Sequence, residues 1–352
     1  MAGHSGLVLR VMLTIGPHLV DTRVLLAPMS GISDLPFRRQ AQALGCRYVV
    51  SEMVAGRELA ERRPDVVLRA AMQDHGLRVM QLAGREPRWM AEGARIAEAM
   101  GAQIIDINMG CPARKVTGLL SGSALMRDLD LAESLIRATV EAVRVPVTLK
   151  MRLGWDWQSL NAPELAVRAE AAGVRMLTVH GRTRCDFYKG VANWQAVREV
   201  KRATALPLVV NGDIETADDA RCALTRSGAD AVMVGRAATG RPWLPAAMDR
   251  ALRAGGEIEV PPLRDRAGWA LDHYAATIAH YRDGHAKSAE AGARLGVRMA
   301  RKHVAAVIDA TPECAEPVRR AVKTALCTED DPGRVQDGLA RFFDSCCEKA
   351  AA

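Results

Sequence analysis

The sequence predicts an α/β fold, a (β/α)8 TIM barrel followed by an all-helical C-terminal domain. Eight short apolar runs recur along residues 24–255, and amphipathic stretches separate them, which is typical of a barrel of this size. Residues 264–352 contain no strand-like run and are rich in Ala, Arg and Glu, which predicts the second, helical domain. An open doubly wound sheet is the alternative, but eight units favour closure and no G-x-G-x-x-G follows the first run.

The eight apolar runs are each about four residues long and are bounded by Gly, Pro or polar residues, as buried parallel strands are. In chain order the predicted strands are Val24–Ala27, Tyr48–Val50, Leu77–Met80, Ile104–Ile107, Val147–Leu149, Met176–Val179, Leu208–Val210 and Ala231–Val234. The predicted helices that accompany them are Pro36–Leu44, Pro87–Met100, Leu129–Val143, Pro163–Ala172, Trp194–Arg202, Thr216–Ser227 and Pro242–Arg253.

The composition divides the chain into four segments. Residues 1–23 are expected to be an N-terminal extension and not a signal peptide, because Arg10 interrupts the apolar stretch and no small-residue cleavage site follows. Residues 24–255 form the predicted barrel. Residues 256–263 contain Pro261 and Pro262 and are expected to be a linker, and residues 264–352 form the predicted helical domain.

Composition and charge exclude several classes of protein. Apolar residues make up 49% and charged residues 25%, which is ordinary for a folded globular protein, and no apolar run of about 18 residues predicts a membrane span. Eight cysteines without a C-x-x-C pair or a Cys/His metal spacing indicate reduced thiols in a cytoplasmic protein, and no zinc site is expected. The net charge of +7 permits a polyanionic partner.

Polar residues or glycines follow nearly every predicted strand, where barrel enzymes place their active sites. One interpretation is that such residues merely end the strands. Lys150 and His180, however, directly follow β-branched or apolar runs, and this placement favours a role for both side chains in an active site. The residues at these positions are Pro28, Met29, Gln81, Asn108, Lys150, His180, Asn211, Gly212, Asp213, Gly235 and Arg236.

The last two of these loops predict a phosphate site. Barrels often bind phosphate between the loops after strands seven and eight, where Gly212 and Gly235 let the backbone approach closely. Arg236 can add a charge-assisted contact. Flavin mononucleotide (FMN) would fit, with Gln81 bonding the ring edge and Lys150 stabilising negative charge on the reduced ring. A sugar-phosphate barrel would share the phosphate loops, so this alternative stays open.

The loop after the fourth strand places Cys111 between Gly110 and Pro112 at the barrel mouth. A lone cysteine is commonly a small buried hydrophobic residue, but the polar surroundings here favour a chemical role. A nucleophilic thiol would need a base, for which His180 is the only nearby candidate. A proton donor needs no base, because a free thiol is mostly protonated at neutral pH.

One predicted helix of the C-terminal domain has a strongly basic face. Arg294, Arg298, Arg301 and Lys302 recur at helical spacing, so their side chains share one side. A solvated surface and a phosphate-contacting face of a nucleic-acid-binding domain both fit this pattern.

At these positions the chain resembles the tRNA-dihydrouridine synthases, and is similar to their bacterial B-type branch. The resemblance runs from about residue 24 to 305, and its most specific string is the one that contains Cys111. The matching strings are residues 27–34, 51–53, 81–84, 106–112 with Lys115 and Val116, 147–152, 180–184, 211–214, 235–237 and 298–303.

The resemblance implies reduction of the C5–C6 double bond of uridines in the D-loop of tRNA, using FMN that NADPH (or NADH) reduces. Cys111 would be the proton donor to C5. The residues that would hold FMN are Pro28, Met29, Ser30, Gln81, Lys150, His180, Asn211, Gly212, Asp213, Gly235 and Arg236. Candidates for contacting the substrate are Asn108, Lys115, Arg152 and Arg182 in the barrel, with Arg294, Arg298, Arg301 and Lys302 in the helical domain.

Three functions are therefore considered: this tRNA-reducing flavoenzyme, a flavin barrel acting on a free pyrimidine, and a non-enzymatic RNA-binding protein. The helical domain and its basic face disfavour the second, because a free base needs no such binding surface. Cys111, Lys150 and His180 together disfavour the third. The expected partner is the tRNA D-arm, with no membrane, metal or obligate protein partner.

Overall fold

A computed structural model describes residues 13–112, 121–285 and 288–351. The chain begins there with an antiparallel hairpin of β1 (Leu13–Ile15) and β2 (His18–Val20). Its apolar side chains pack in one buried cluster with residues that start the barrel strands, such as Val79 and Ile104. The hairpin, which the sequence did not predict, therefore covers the amino-terminal end of the barrel.

Eight parallel strands form the barrel. They are β3 (Val24–Leu26), β4 (Val50–Ala55), β5 (Val79–Ala83), β6 (Ile104–Met109), β7 (Val147–Arg152), β8 (Leu177–His180), β9 (Leu208–Asn211) and β10 (Ala231–Val234). Their order is β3-β10-β9-β8-β7-β6-β5-β4, and a parallel bridge between Leu26 and Val49 joins the two terminal strands. The sheet is thus closed, and the predicted barrel is confirmed.

Several strands run further than the apolar runs predict. Gln81, Asn108, Lys150, His180 and Asn211 lie within the strands and not after them. The register pairs Asn108 with Lys150 and His180 with Asn211, so polar side chains stand side by side on adjacent strands. The apolar pattern ends early because the interior of the barrel is polar near its carboxyl end.

The helices form a layer around the sheet, and several of them begin at a recognisable side-chain cap. Asp34 caps α1 and Asp128 caps α5, while a capping box of Thr216 and Asp219 starts α8. The helices are α1 (Leu35–Ala43), α2 (Gly56–Ala60), α3 (Pro64–Ala70), α4 (Pro87–Ala99), α5 (Leu129–Ala142), α6 (Ala162–Ala171), α7 (Trp194–Ala203), α8 (Ala217–Ser227) and α9 (Leu244–Ala254). Short 3-10 helices span Gly122–Arg127 and Arg236–Ala238.

Helix α9 ends where Gly255 adopts a left-handed conformation, and the next helix begins at Leu263. The C-terminal domain consists of α10 (Leu263–Gly284), α11 (Ala289–Asp309), α12 (Glu316–Thr328) and α13 (Pro332–Ala351). These helices bury their own apolar cluster, which includes Tyr274, Val304 and Phe343. In the described part of the chain, none of the helices has the length and apolar character that a membrane crossing requires.

Candidate active site at the carboxyl end of the barrel

A cavity of about 500 Å³ opens at the carboxyl ends of the strands. Its size is within the range of small-molecule and cofactor sites. Most of the predicted site residues line it together, although they come from different strands and loops. These residues are Pro28, Met29, Ser30, Gln81, Asn108, Cys111, Lys150, Arg152, His180, Asn211, Gly212, Asp213, Gly235 and Arg236.

A chain of hydrogen bonds fixes the polar side chains of β5, β6 and β7. Gln81 Nε2 donates to Asp106 Oδ2 at 2.7 Å, and Asn108 Nδ2 donates to Gln81 Oε1 at 2.8 Å. Thr148 Oγ1 donates to the other Asp106 oxygen at 2.6 Å. Burial raises the pKa of Asp106, and the hydrogen bonds from Thr148 and Gln81 oppose this rise. Asp106 thereby orients Gln81 and, through it, Asn108, although sequence reasoning assigned Asp106 no role.

Asn108 also positions the backbone of the cysteine loop. Its Oδ1 accepts the N–H groups of Gly110 at 3.1 Å and Cys111 at 2.9 Å. The carbonyl of Cys111 accepts from the Ser123 backbone N–H at 3.1 Å and from Ser123 Oγ at 2.9 Å. Cys111 is half-buried and lines the cavity. The backbone of Cys111 is thus held on both sides at the wall of the cavity.

Lys150 presents an ammonium group to the cavity. Its Nζ donates to Asn211 Oδ1 at 3.1 Å, and Asn211 Nδ2 donates to the Met233 carbonyl at 2.7 Å. Burial lowers the pKa of Lys150 to about 8, and the neighbouring Arg152 acts in the same direction, whereas the Asp106 carboxylate opposes the shift. Lys150 is therefore a cation that can lose its proton not far above neutral pH.

His180 is neutral at physiological pH. Burial, followed by the positive charges of Arg152, Lys150 and Arg182, holds the pKa of His180 well below its usual range. Its Nε2 lies 3.3 Å from Arg182 Nη1. Among the described residues, no hydrogen bond joins the ring of His180 to the thiol of Cys111. This arrangement favours the proton-donor role for Cys111 over the nucleophile that His180 would activate.

The loops after β8 and β9 are joined by an ion pair between the buried Arg182 and the partly exposed Asp213. Arg182 is 2% exposed and donates to both carboxylate oxygens of Asp213, at 2.9 and 2.6 Å, and to the carbonyls of Lys189 and Gly190. Burial alone would raise the pKa of Asp213, but the hydrogen bonds from Arg182 and the Ala192 N–H lower it. These contacts favour a structural role for Arg182, which does not line the cavity; its contact with substrate stays a prediction.

Gly212 and Arg236 lie on the loops after β9 and β10, where the sequence predicts a phosphate site. Gly212 has a φ of +117°, and a Cβ there would lie 2.8 Å from both the His180 ring and the Cβ of Ala192. Only glycine fits this conformation and this space. Arg236 is exposed, and its Nη2 lies 3.1 Å from Asp213 Oδ1, at the rim of the same cavity.

Arg152 and Tyr188 form part of the cavity wall. Arg152 is 1% exposed and donates to the backbone carbonyls of Gly110, Thr183 and Phe187 at 2.7 to 2.9 Å, so it ties the cysteine loop to the loop after β8. Its contact with substrate, like that of Arg182, stays a prediction. Tyr188, which sequence reasoning missed, is 55% exposed.

The ring of Tyr188 faces two guanidinium groups, with the Cζ atoms of Arg152 and Arg236 at 5.5 and 5.4 Å from its centroid. The sequence feature that could have identified Tyr188 is an aromatic residue in the loop after β8, because that loop lies at the end of the barrel where substrates bind.

Four of the remaining predicted residues lie on α11, outside the cavity lining. Lys115 lies outside the described residues. On α11, Arg294 pairs with Glu290 at 3.0 Å and Arg301 with Asp330 at 2.6 Å. The other two, Arg298 and Lys302, are exposed. A Cβ placed on Gly31 would lie 2.6 Å from Lys302 Nζ, so Lys302 reaches the loop that supplies Pro28, Met29 and Ser30 to the cavity.

Comparisons with known proteins agree with this geometry. The model of the family "Dihydrouridine synthase (Dus)" matches residues 25–329. A "Probable tRNA-dihydrouridine synthase" of Rhodobacter capsulatus is 51% identical over 95% of this chain and 97% of its own length. A protein of Rhizobium leguminosarum with the same name is 47% identical over 93% of this chain and 96% of its own. The "tRNA-dihydrouridine synthase B" of Pseudomonas aeruginosa is 42% identical over 86% and 88%.

Solved structures share the fold of the barrel at low sequence identity. A histamine dehydrogenase from Rhizobium sp. 4-9 has a TM-score of 0.54 at 15% identity, covering 76% of this chain and 51% of that one. A 6-hydroxypseudooxynicotine amine oxidase of Pseudomonas geniculata has a TM-score of 0.55 at 14% identity, covering 70% and 50%. This chain thus spans about half the length of these larger proteins. From the family model and the extended identity to curated relatives, the chain belongs to the dihydrouridine synthase family.

Proposed function

We propose that this protein reduces uridines in the D-arm of tRNA to 5,6-dihydrouridine, with FMN as its cofactor and NADPH (or NADH) as the electron donor. One observation carries the proposal. A single cavity gathers a positioned thiol, Cys111, a cation, Lys150, and the two glycine-containing loops of a barrel phosphate site. Membership of the dihydrouridine synthase family supports the same activity.

The residues around the cavity fit FMN. The backbone at Gly212 and Gly235, with the exposed guanidinium of Arg236, would hold the phosphate between the loops after β9 and β10. Gln81 would contact the ring edge, held in place by Asp106. Lys150 would hold positive charge beside the ring. A reduced flavin bound here would supply the hydride that C6 of the uracil accepts.

Cys111 would then supply the proton that completes the reduction. Hydride transfer would form a new C–H bond at C6, the π bond between C5 and C6 would break, and C5 would take the proton of the Cys111 thiol, which would become a thiolate. Asn108 accepts a hydrogen bond from the backbone N–H of Cys111 and thereby fixes the backbone position from which the thiol side chain extends. Negative charge develops toward the C4 carbonyl of the uracil, and the cationic Lys150 and Arg152 near Cys111 would stabilise it.

The substrate base must leave its stack to enter this cavity, so the enzyme has to hold folded RNA while the base is extruded. We propose that the helical domain does this through backbone and shape contacts. The exposed Arg298 and Lys302 lie on the same helix, and Lys302 reaches the cavity loop at Gly31. Since tRNA is modified in the cytoplasm of bacteria, we propose a cytoplasmic location.

Mass mapping of dihydrouridine in tRNA from cells with and without this protein tests the function. We expect the mass increase of two hydrogens to disappear from one or more D-loop positions in the strain that lacks it. The purified protein should be yellow, reduce transcribed tRNA with NADPH, and leave free uracil and dihydroorotate unchanged. Turnover of a free pyrimidine would instead identify a free-base flavin barrel. A colourless protein that binds tRNA and does not take up added FMN would identify a non-enzymatic RNA-binding protein.

A further inference from the structure

Three chemically reactive side chains converge away from the cavity, where α1 of the barrel meets the helical domain. Asp34 caps α1, His273 lies in α10 and His303 lies in α11. One donor atom from each lies within 4.8 Å of the other two. All three side chains are buried, with exposures of 3%, 8% and 7%. The cluster thus joins the two domains.

Each of these side chains has a buried polar atom without a partner. Asp34 Oδ1 accepts the N–H of Phe37 at 3.1 Å, but Asp34 Oδ2 has no hydrogen bond within the described chain. The same is true of Nε2 of His273 and Nε2 of His303. A buried polar atom without a partner is destabilising and uncommon, so three together indicate that something binds between them.

The packing directs the two imidazole rings toward each other. Phe37 lies against both, with centroids 5.7 Å from His273 and 5.4 Å from His303. The imidazole centroids are 4.4 Å apart and the rings are nearly perpendicular, at 85°. The two rings are thus adjacent, and their donor atoms lie within 4.8 Å of each other and of an Asp34 oxygen. Zinc binds an imidazole nitrogen at about 2.1 Å, so one ion between these atoms needs only a small movement of the side chains.

The charges around the cluster are those of two buried carboxyls, the guanidinium of Arg38 and the ammonium of Lys302, which acts on His303. Glu52 is 3% exposed, lies within electrostatic range of Asp34 and has an unpartnered Oε2. The guanidinium of Arg38 acts on the same carboxyl but is bound to the carbonyls of Ser33 and Ala71, each at 2.6 Å. Two buried carboxyls thus stand beside one guanidinium that is already bonded.

We propose that Asp34, His273 and His303 bind a divalent transition-metal ion, such as zinc, that fastens the helical domain to the barrel. Two imidazole nitrogens and one carboxylate oxygen are a donor set that zinc uses, with a fourth position left for water. No metal was expected from the sequence, which has no Cys/His ligand spacing, because these three residues are far apart in the chain. The site is separate from the active-site cavity and its role is structural.

Metal content of the tag-free, full-length protein tests this proposal. We expect about one zinc per chain by inductively coupled plasma mass spectrometry, after growth with added zinc and dialysis against metal-free buffer. Asp34→Asn keeps an oxygen for the helix cap and His303→Gln keeps a polar side chain, and each should lower the retained zinc at least tenfold. His280→Gln, on α10 but outside the cluster, is the matched control and should keep the metal.

Thermal unfolding gives a second measurement that does not depend on how well the variants fold. Stripping wild-type protein with a chelator should lower its Tm by about 5 °C, and stoichiometric zinc should restore it. Cobalt(II) added to the stripped wild type should give visible absorption bands that zinc abolishes. Metal-free protein with no Tm response to zinc would overturn the proposal and leave the cluster holding a water molecule. Zinc retained equally by His303→Gln would also overturn it, because the ion would then be bound elsewhere.

Discussion

Arginines have different surroundings at the barrel mouth and in the helical domain. Arg152 and Arg182 at the mouth are 1% and 2% exposed, and their donors are bound to backbone carbonyls and to Asp213. On α11, Arg294 pairs with Glu290 one turn away and is exposed, and Arg298 is exposed as well. Buried arginines thus fix loops around a cavity, whereas exposed ones offer donors to a ligand outside the protein.

The same distinction separates side chains that hold the active site together from those that act in it. Asp106 and Arg182 are bonded on several sides and are not free to react. Cys111 and Lys150 line the cavity and carry the thiol and the amine that the proposed reaction uses. Substitutions at the first kind should change stability, and substitutions at the second should change the reaction while the fold remains.

The largest effect is expected for Cys111→Ala. Removing the proton donor should slow reduction of uridine by about 10²–10⁴-fold, the usual range for loss of a general acid. FMN binding should be unchanged, since the Cys111 side chain is not needed to hold the phosphate loops. Single-turnover reduction of tRNA by the pre-reduced enzyme measures the step. Cys185→Ala is the control, because Cys185 is an exposed thiol on the loop after β8; turnover of Cys111→Ala near that of the control would reject the role.

Arg182→Met should lower the free energy of unfolding by about 3–5 kcal/mol, because it leaves the Asp213 carboxylate and two backbone carbonyls without their buried partner. Arg294→Met should change it by less than about 0.5 kcal/mol, since its ion pair with Glu290 is exposed. Urea denaturation of the two variants, followed by circular dichroism, compares them. If Arg182→Met were as stable as wild type but had a raised KM for tRNA, Arg182 would contact substrate instead.

Lys150 should give the reaction a descending pH limb. Burial lowers the pKa of Lys150 to about 8, so its positive charge is present below that pH and is lost as the pH rises through it. The rate of uridine reduction should therefore fall above about pH 8. Lys150→Arg should move this fall to higher pH, because a guanidinium stays protonated. An unchanged profile in Lys150→Arg would assign the limb to another group.

The barrel could be predicted from the sequence because each buried strand is a short continuous apolar run, whereas the helix that follows it has apolar residues only at every third or fourth position. Because only apolar residues were counted as strand, the predicted strands end too early: the polar residues Lys150 and Asn211 belong to β7 and β9 and lie inside the barrel. The hairpin at residues 13–20 was missed, because its strands have only three residues each and their burial depends on the barrel above them.

Most of the cavity lining could be predicted from the rule that barrel sites lie at the carboxyl ends of strands. That rule does not distinguish Arg182, which supports the loops, from Arg236, which lies at the rim, because both follow strands and carry the same charge. Tyr188 was missed since its place depends on how a long loop folds back over Arg152. The cluster of Asp34, His273 and His303 depends on domain packing, which no local pattern records.

The smallest effects are expected on the exposed face of α11. Arg298→Ala with Lys302→Ala should weaken tRNA binding severalfold and reduce the slope of log affinity against log salt by up to about 2, if each contacts one phosphate. Arg95→Ala with Arg320→Ala is the matched control, because both arginines lie outside the proposed sites and already pair with a carboxylate one turn away, at 3.2 and 2.6 Å. Fluorescence anisotropy across a salt series measures both. Equal slopes for the two double variants would mean that this face of α11 is solvated in the complex and that the RNA lies elsewhere.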